Sequence, residues 1–192
     1  MRFRFTLTQL FIAFCIGILF GTGFLLLLAN MQGVPALPSP ASSSSSVPAQ
    51  ISSIFSPNGE DEILSSISSS TSSLDVEMYL FSYQKLADAL IDAKARGVAV
   101  RVLLEPTLEN NPNLQMAEYL RAGGIEVRWA IPSRTNHAKF AIIDGKRVLV
   151  GSHNWSYSAM NRNREASVLV QDAETVREFE SVFEQDWAAA YT

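Results

Sequence analysis

The sequence predicts an α/β domain with a mixed, largely parallel β-sheet flanked by helices, preceded by one N-terminal transmembrane helix. Three observations lead to this fold class. Apolar residues make up 47% of the 192 residues, which is enough for a hydrophobic core. After about residue 60, short apolar stretches alternate with amphipathic ones. The N-terminal part instead has a long uncharged apolar run and then a Ser- and Pro-rich stretch.

Residues 1–32 are predicted to be a membrane anchor or a signal sequence. No side chain in residues 10–29 is charged, and a helix rising about 1.5 Å per residue over this length spans the roughly 30 Å hydrocarbon core. Arg2 and Arg4 precede the run, which favours a cytoplasmic N-terminus and a C-terminal domain outside the cytoplasm. Cleavage of the segment as a signal peptide, giving a secreted protein, is the alternative.

Residues 33–53 are predicted to be a linker. The segment is rich in proline and contains consecutive serines at 42–46. This composition buries too little apolar surface to offset the entropy lost on ordering the chain. We therefore expect a flexible tether, followed by a folded domain over residues 54–192.

The first half of that domain alternates helices with strands. Helices are predicted over 60–73, 84–96 and 113–122, and strands over 74–81, 98–104 and 125–130. The helices carry apolar residues at helical spacing, and glycines follow the second and third of them. Strands separated by helices predict right-handed crossovers and parallel pairing.

The second half changes character. Strands predicted over 138–143 and 147–150 flank Asp144-Gly145, a dipeptide that is typical of a tight hairpin turn. A further strand over 165–170 and an amphipathic helix over 175–190 complete the domain. No internal repeat is visible, so the polar pattern described next occurs once.

The polar residues of this hairpin suit phosphoryl chemistry. His137 and Lys139 are two residues apart, so both side chains point to one face of a strand. A neutral imidazole can attack phosphorus, and lysine offers a compact positive charge to the phosphate oxygens. The hairpin brings Ser152 and Asn154 nearby as hydrogen-bond donors, and a carboxylate such as Glu165 can hold the imidazole tautomer. A His-x-Lys pair alone is usually a solvated strand edge, so the hypothesis depends on the whole set.

The pattern runs through both hairpin strands, as His137-x-Lys139-x4-Asp144 and then Gly151-Ser152-x-Asn154. It resembles the HKD motif of the phospholipase D superfamily, and the later Asn163-x-Glu165 also fits. The resemblance covers nearly all of residues 51–190 and implies the phospholipase D-like fold. By size it is most similar to the single-motif members, which include the bacterial endonuclease Nuc and the mitochondrial Zucchini-type enzymes.

The resemblance implies a role for each motif residue. His137 forms the phosphohistidine, Lys139 and Asn154 bind phosphate, and Ser152 and Glu165 support the histidine and the site. The structural positions are Asp144 and Gly151. For the first of these, a place in the Asp-Gly turn gives an independent reason.

The implied mechanism uses no metal and no cofactor. The chain has two histidines and one cysteine, Cys15, which lies in the N-terminal apolar run. Neither a thiolate cluster nor a histidine-built zinc site fits this composition.

The resemblance also implies a second histidine, which acts as general acid. His153 occupies the variable position of Gly-Ser-x-Asn, where a strand would turn it away from Ser152 and Asn154. We expect it at the surface or at a subunit contact. The chain is therefore predicted to form a twofold homodimer with a shared active site, in which two copies of His137 face one phosphate.

Three functions remain open. A formal net charge of -4 argues against tight nonspecific coating of DNA, but an endonuclease acting on single-stranded nucleic acid fits the arginines near the motif. A membrane-tethered phospholipase D that hydrolyses phospholipid head groups is the alternative, because the anchor gives access to lipid. An inactive protein that binds phosphate ligands is the third. Trp155 and Tyr157 suit lipid contact, base stacking or core packing.

Overall fold

A computed structural model describes residues 49–192. The predicted anchor and almost all of the predicted linker lie outside the described residues. Gln50–Phe55 forms a strand, so residues 50–53 of the predicted linker belong to the sheet. Within residues 49–192, no helix combines the length and apolar character needed to cross a membrane.

The elements follow the predicted order. The strands are β1 (Gln50–Phe55), β2 (Ser73–Met78), β3 (Ala99–Leu104), β4 (Glu126–Trp129), β5 (Lys139–Ile143), β6 (Arg147–Gly151) and β7 (Ala166–Gln171). The helices are α1 (Glu60–Ser68), α2 (Gln84–Ala95), α3 (Pro112–Ala122), α4 (Tyr157–Asn161) and α5 (Ala173–Ala189). Sequence patterns missed β1, which lies in a serine-rich stretch, and the very short α4.

Strands of the described region form one mixed sheet in the order β1-β7-β6-β5-β2-β3-β4. Only β2–β3 and β3–β4 pair in parallel, and the other four pairings are antiparallel. The sheet is mixed as predicted, but the expectation that it is largely parallel is wrong. Helical crossovers make the first half parallel, whereas the tight hairpin makes β5–β6 antiparallel, and β2–β5, β6–β7 and β1–β7 extend that pattern.

Helices cover both faces of the sheet. One face packs against α1, α2 and α3, and the other packs against α5. Successive side chains of β3 point to opposite faces of the sheet. Val102 and Leu104 pack into the core on the face of α1, α2 and α3, whereas Leu103 packs into the core under α5. Burying each such side chain contributes about 1.5–3 kcal/mol.

Three chain segments meet beyond the carboxyl end of the central strand β2. Tyr79 N, just after β2, donates to Ala138 O, just before β5, at 2.9 Å. Trp155 N, after β6, donates to Leu80 O at 2.9 Å, and Ser82 N donates back to Trp155 O at 2.8 Å. The segments that carry the HKD-like residues are thereby joined to the end of a central strand.

Candidate active site

His137 and Lys139 form a cluster at the start of β5. The Lys139 Nζ atom lies 3.1 Å from His137 Nδ1 and donates to His137 O at 2.9 Å. The His137 and Tyr79 rings lie 4.3 Å apart between centroids, and Lys139 Nζ lies 5.0 Å from the Tyr79 centroid. The two side chains thus lie together, as their two-residue spacing predicts. Partial burial lowers the pKa of Lys139, and the negative charge of Glu165 opposes this only in part.

In the isolated chain, the ammonium group of Lys139 lies against His137 Nδ1. An ammonium group has only donors, so it pairs with a lone pair on Nδ1 and leaves the imidazole proton on Nε2. Attack on phosphorus by Nε2 requires the opposite tautomer, with an acceptor at Nδ1. Among the described residues no hydrogen bond to His137 provides that acceptor.

Glu165, which we expected to hold the imidazole, is hydrogen-bonded elsewhere. Its carboxylate accepts from Ser152 Oγ at 2.5 Å and from Asn163 Nδ2 at 3.0 Å. Burial would raise the pKa of Glu165, but these two hydrogen bonds and nearby positive charge lower it overall. The Ser152 Oγ atom also accepts from Ala166 N at 3.1 Å. Its hydroxyl proton is therefore directed to Glu165 and not to a phosphate, which leaves Ser152 in a supporting position.

Asn154 and Gly151 stand on either side of this serine. The Asn154 Oδ1 atom is buried and has no hydrogen-bond partner among the described residues. A Cβ at Gly151 would overlap with Ser167 and with the Ala166 carbonyl oxygen, so only glycine allows this close approach of β6 to β7.

Asp144 lies at the opposite end of β5 from Lys139. Its backbone has a φ of 56°, in the left-handed region that the hairpin turn requires. Its carboxylate accepts from the N–H groups of Thr71, Ser72 and Ser73 at 2.9, 2.7 and 3.1 Å. Burial would raise the pKa of Asp144, but the hydrogen bonds outweigh it and hold the pKa far below its usual value. These contacts attach the turn to the chain preceding β2.

His153 contradicts its prediction, because it is neither at the surface nor available to a subunit contact. It is 3% exposed, with Nε2 2.7 Å from Ser56 Oγ and Nδ1 2.7 Å from Ser167 Oγ. Ser56 Oγ donates to Met160 O at 3.1 Å, so it accepts from a protonated Nε2. Burial lowers the pKa of His153. The chain leaves strand geometry after Gly151, and the side chain turns into the core.

Sequence patterns missed two residues that position the His137 segment. Glu105 is fully buried, and its carboxylate accepts from Asn136 N at 2.6 Å and from Thr107 N at 2.8 Å. The Asn113 amide donates to Tyr79 O at 2.8 Å and to Glu105 O at 2.9 Å. In the sequence, the signal that could have identified Glu105 is an acidic residue directly after the apolar stretch of β3.

A cavity of about 320 Å³ opens beside His137. Its charged wall residues include Glu77, Arg134 and Asp186. The Glu77 side chain is 2% exposed, and its Oε2 atom has no hydrogen-bond partner among the described residues. Burial, and then the charge of Asp186, raises the pKa of Glu77 to about 7. In the sequence, the signal that could have identified Glu77 is a carboxylate among the apolar residues of β2.

The arginines near the motif do not form a continuous free rim. Arg134 pairs with Asp186 at 3.2 Å and Arg128 pairs with Glu126 at 2.8 Å. The Arg162 guanidinium lies 5.2 Å from the ring centroid of Tyr157.

The two aromatic residues after the motif have different environments. Trp155 is 2% exposed and belongs to the core, whereas Tyr157 is 51% exposed. Within the part of the chain that the structure describes, His, Cys, Asp and Glu form no group of three or more that could hold a metal ion.

Sequence comparison identifies relatives of this chain. Residues 63–187 match the family described as "Cardiolipin synthase, PLD-like domain". The chain is 32% identical to the mitochondrial cardiolipin hydrolase of Danio rerio over 67% of this chain and 56% of that protein. It is 33% identical to the protein of the same name from Mus musculus, over 83% and 68%. It is 31% identical to a phospholipase D from Rickettsia bellii, over 87% and 88%.

Solved structures share the fold. The phospholipase D family member Nuc from Salmonella typhimurium superposes with a TM-score of 0.70 at 24% identity, covering 74% of this chain and 96% of that one. NucT from Helicobacter pylori gives 0.66 at 24% identity, over 74% and 98%. The chain spans little more than half the length of the zebrafish and frog relatives, at 56% and 54%. The family match and the single HKD-like motif together show that the chain belongs to the phospholipase D superfamily of phosphodiesterases, as a single-motif member.

Proposed function

We propose that the chain cleaves phosphodiester bonds through a covalent phosphohistidine on His137, without a metal, and that it is an endonuclease for single-stranded nucleic acid. The observation that carries the proposal is the His137–Lys139 cluster, at 3.1 Å between Nδ1 and Nζ, in a member of this family. The cluster combines a nucleophile with a cation that can hold the phosphate it attacks.

The proposed reaction has two steps. An imidazole nitrogen of His137 forms a bond to phosphorus while the bond from phosphorus to the leaving oxygen breaks, and a general acid protonates that oxygen. Water then hydrolyses the phosphohistidine and restores the imidazole. Lys139 and the Asn154 amide bind the non-bridging oxygens, where charge develops in the transition state. Ser152 and Glu165 support this wall of the site through their hydrogen bond of 2.5 Å.

The general acid is the reason for proposing a homodimer with a shared active site. His153 is buried with both ring nitrogens hydrogen-bonded to serines, so it is poorly placed to protonate a leaving group. A twofold axis beside His137 would bring a second copy of this histidine to the same phosphate. When Lys139 binds the non-bridging oxygens it leaves Nδ1, so the imidazole can take the tautomer that attack by Nε2 requires.

Subunit mixing tests the shared site. Wild-type and His137→Ala chains are co-refolded at varied ratios, and phosphodiesterase activity is measured per wild-type chain. A shared site predicts that this specific activity falls in proportion to the wild-type fraction, because mixed dimers have one histidine. Constant specific activity, or an active species that sediments as a monomer, would contradict the dimer.

Two exposed stacking pairs support nucleic acid as the substrate. The Arg162 guanidinium lies 5.2 Å from the Tyr157 ring centroid, and Arg164 lies 5.2 Å from that of Phe55. Both rings are half exposed, and Arg164 directly precedes Glu165. Aromatic rings interleaved with arginines bind single strands by stacking and by neutralising phosphates.

The alternative is a phospholipase D that hydrolyses phospholipid head groups. Relatives named mitochondrial cardiolipin hydrolase and phospholipase D favour it, and the membrane anchor that we predict for residues 1–32, with the domain outside the cytoplasm, would give access to lipid. A phosphate-binding protein without catalysis is a lesser alternative, because the full HKD-like set is present.

A direct assay separates these functions. The full-length chain in detergent is incubated with end-labelled single-stranded DNA, with RNA and with cardiolipin micelles, beside a His137→Ala control. Internal cleavage of a nucleic acid by the wild type alone supports the nuclease. Cleavage of lipid alone would favour the phospholipase, and cleavage of none would favour the binding protein. Equal cleavage by both proteins would overturn the assignment of His137.

A further inference from the structure

The cavity beside His137 has two kinds of wall. Ile131, Phe140 and Val182 contribute apolar surface, whereas Glu77 and Asp186 contribute carboxylates. Its volume of about 320 Å³ lies at the lower end of the range for sites that bind small organic groups. Since His137 is itself a wall residue, a group held there is attached close to the reacting phosphate.

Glu77 is the unusual member of this wall. Its side chain is 2% exposed, and yet its Oε2 atom has no hydrogen-bond partner among the described residues. A buried polar atom without a partner costs about 1–3 kcal/mol, and a ligand that donates a hydrogen bond to Oε2 would remove this cost. β2 pairs Glu77 with Phe140, which places the carboxyl on the face of the sheet that α5 covers.

A nucleobase has the matching chemistry. Its faces are apolar and suit the Ile131, Phe140 and Val182 surface, while its edge carries hydrogen-bonding groups. A carboxylate accepts from the exocyclic amino group of cytosine, adenine or guanine. Thymine and uracil instead present one N–H between two carbonyl oxygens. A carboxylate repels these carbonyl oxygens. An acyl chain would leave the Oε2 atom of Glu77 without a hydrogen bond.

We propose that this cavity is a nucleobase subsite next to the scissile phosphate, and that Glu77 makes it selective for bases that carry an amino group over thymine and uracil. The inference rests on the proposed nuclease function and adds a base preference to it. Glu77 acts on binding of the flanking nucleotide and not on the phosphoryl transfer itself.

The protonation state of Glu77 adds a pH signature. Burial raises the pKa of Glu77 to about 7, so the group is a carboxylate above this pH and a neutral acid below it. A neutral acid can donate to a thymine carbonyl, so selectivity should weaken as the pH falls through 7. The other charged or titratable groups that face the cavity are Arg134, His137 and Asp186.

The test compares the full-length wild type with Glu77→Leu and Glu77→Gln. Tetranucleotides of deoxycytidine and of deoxythymidine are cleaved in parallel, and bis(p-nitrophenyl) phosphate serves as a substrate without a base. Glu178→Gln is the matched control, because it removes an exposed carboxylate from α5, the helix that contributes Val182 and Asp186. Circular dichroism follows the folding and the melting temperature of each variant.

The expected result is a kcat/KM at pH 8 about tenfold or more higher for deoxycytidine than for deoxythymidine in the wild type and in Glu178→Gln. This ratio should fall to near one in both Glu77 variants, while cleavage of bis(p-nitrophenyl) phosphate stays unchanged. An unchanged ratio in Glu77→Leu, or an equal loss on all three substrates, would each overturn the subsite. Failure of the proposed nuclease function is distinct, because the wild type would then cleave neither oligonucleotide faster than His137→Ala does.

Discussion

The chain's two histidines occupy contrasting environments only sixteen positions apart. His137 borders a cavity, contacts a lysine through Nδ1 and lies against the Tyr79 ring. His153 is 3% exposed and held between two serine hydroxyls at 2.7 Å each. The side chains are chemically identical, but only His137 borders a cavity that a substrate can enter.

The motif therefore combines a segment that presents reactive side chains with a second segment that supports the fold. Lys139 at the start of β5 and His137 just before it face the site, whereas the segment after β6 carries Asn154 and buries the side chain of His153. A buried neutral imidazole that links Ser56 to Ser167 contributes to stability through its hydrogen bonds. The following substitutions should separate these two roles.

The largest effect is expected for His137→Ala. Loss of the nucleophile should lower kcat by roughly 10³-fold or more, with little change in melting temperature because the side chain is not part of the core. Steady-state kinetics and thermal melts on one preparation check this. A large drop in melting temperature would mean that His137 is structural like His153.

Lys139→Ala should have the next largest effect. Removing the cation that holds the non-bridging oxygens should lower kcat/KM by roughly 10²-fold. Lys139→Arg should recover part of the loss, because the charge is retained in a different geometry. Equal activity of the alanine and arginine variants would count against a role for the charge.

His153→Ala should reverse the pattern seen for His137. It removes the imidazole contacts to Ser56 and Ser167 and leaves only Ser56 a partner, the Met160 carbonyl, at a cost of about 2–3 kcal/mol in the free energy of unfolding. Urea denaturation measures that loss, and activity per folded molecule should stay within a few fold of the wild type. Abolished activity in a fully folded protein would assign His153 to catalysis.

Asp144→Asn should produce a smaller, pH-dependent loss. The carboxylate accepts three backbone N–H groups, and replacing it should cost about 1–2 kcal/mol at pH 7. Its folded pKa is lowered, so its contribution is complete above the unfolded pKa of about 3.9 and is lost as the pH falls toward the folded value. The difference between the two proteins in the free energy of unfolding should shrink progressively as the pH falls below about 4. A difference that stays constant with pH would argue against this origin.

The smallest effect is expected from chelation. Since the proposed nucleophile is an imidazole, EDTA should leave the rate unchanged on both nucleic acid and bis(p-nitrophenyl) phosphate. Loss of activity on EDTA treatment, restored by a divalent cation, would contradict the proposed mechanism.

Local sequence patterns predicted much of this fold. The hairpin follows from Asp144-Gly145 between two apolar stretches, and the helices follow from apolar residues at helical spacing. The motif spacing led to the family, which the match over residues 63–187 shows. The proportion of parallel strands was not predictable in this way, because pairing between β2 and β5 depends on contacts between distant segments.

By itself, the sequence determined which groups are available for chemistry: one His-x-Lys pair, its serine and asparagine, and a carboxylate downstream. Only the tertiary structure decided where their hydrogen bonds go. It directs Glu165 to Ser152, buries His153 and places Glu77 in the wall of a cavity beside His137. The physical reason is that spacing along a strand fixes which face a side chain takes, whereas burial and hydrogen-bond partners depend on segments far away in the chain.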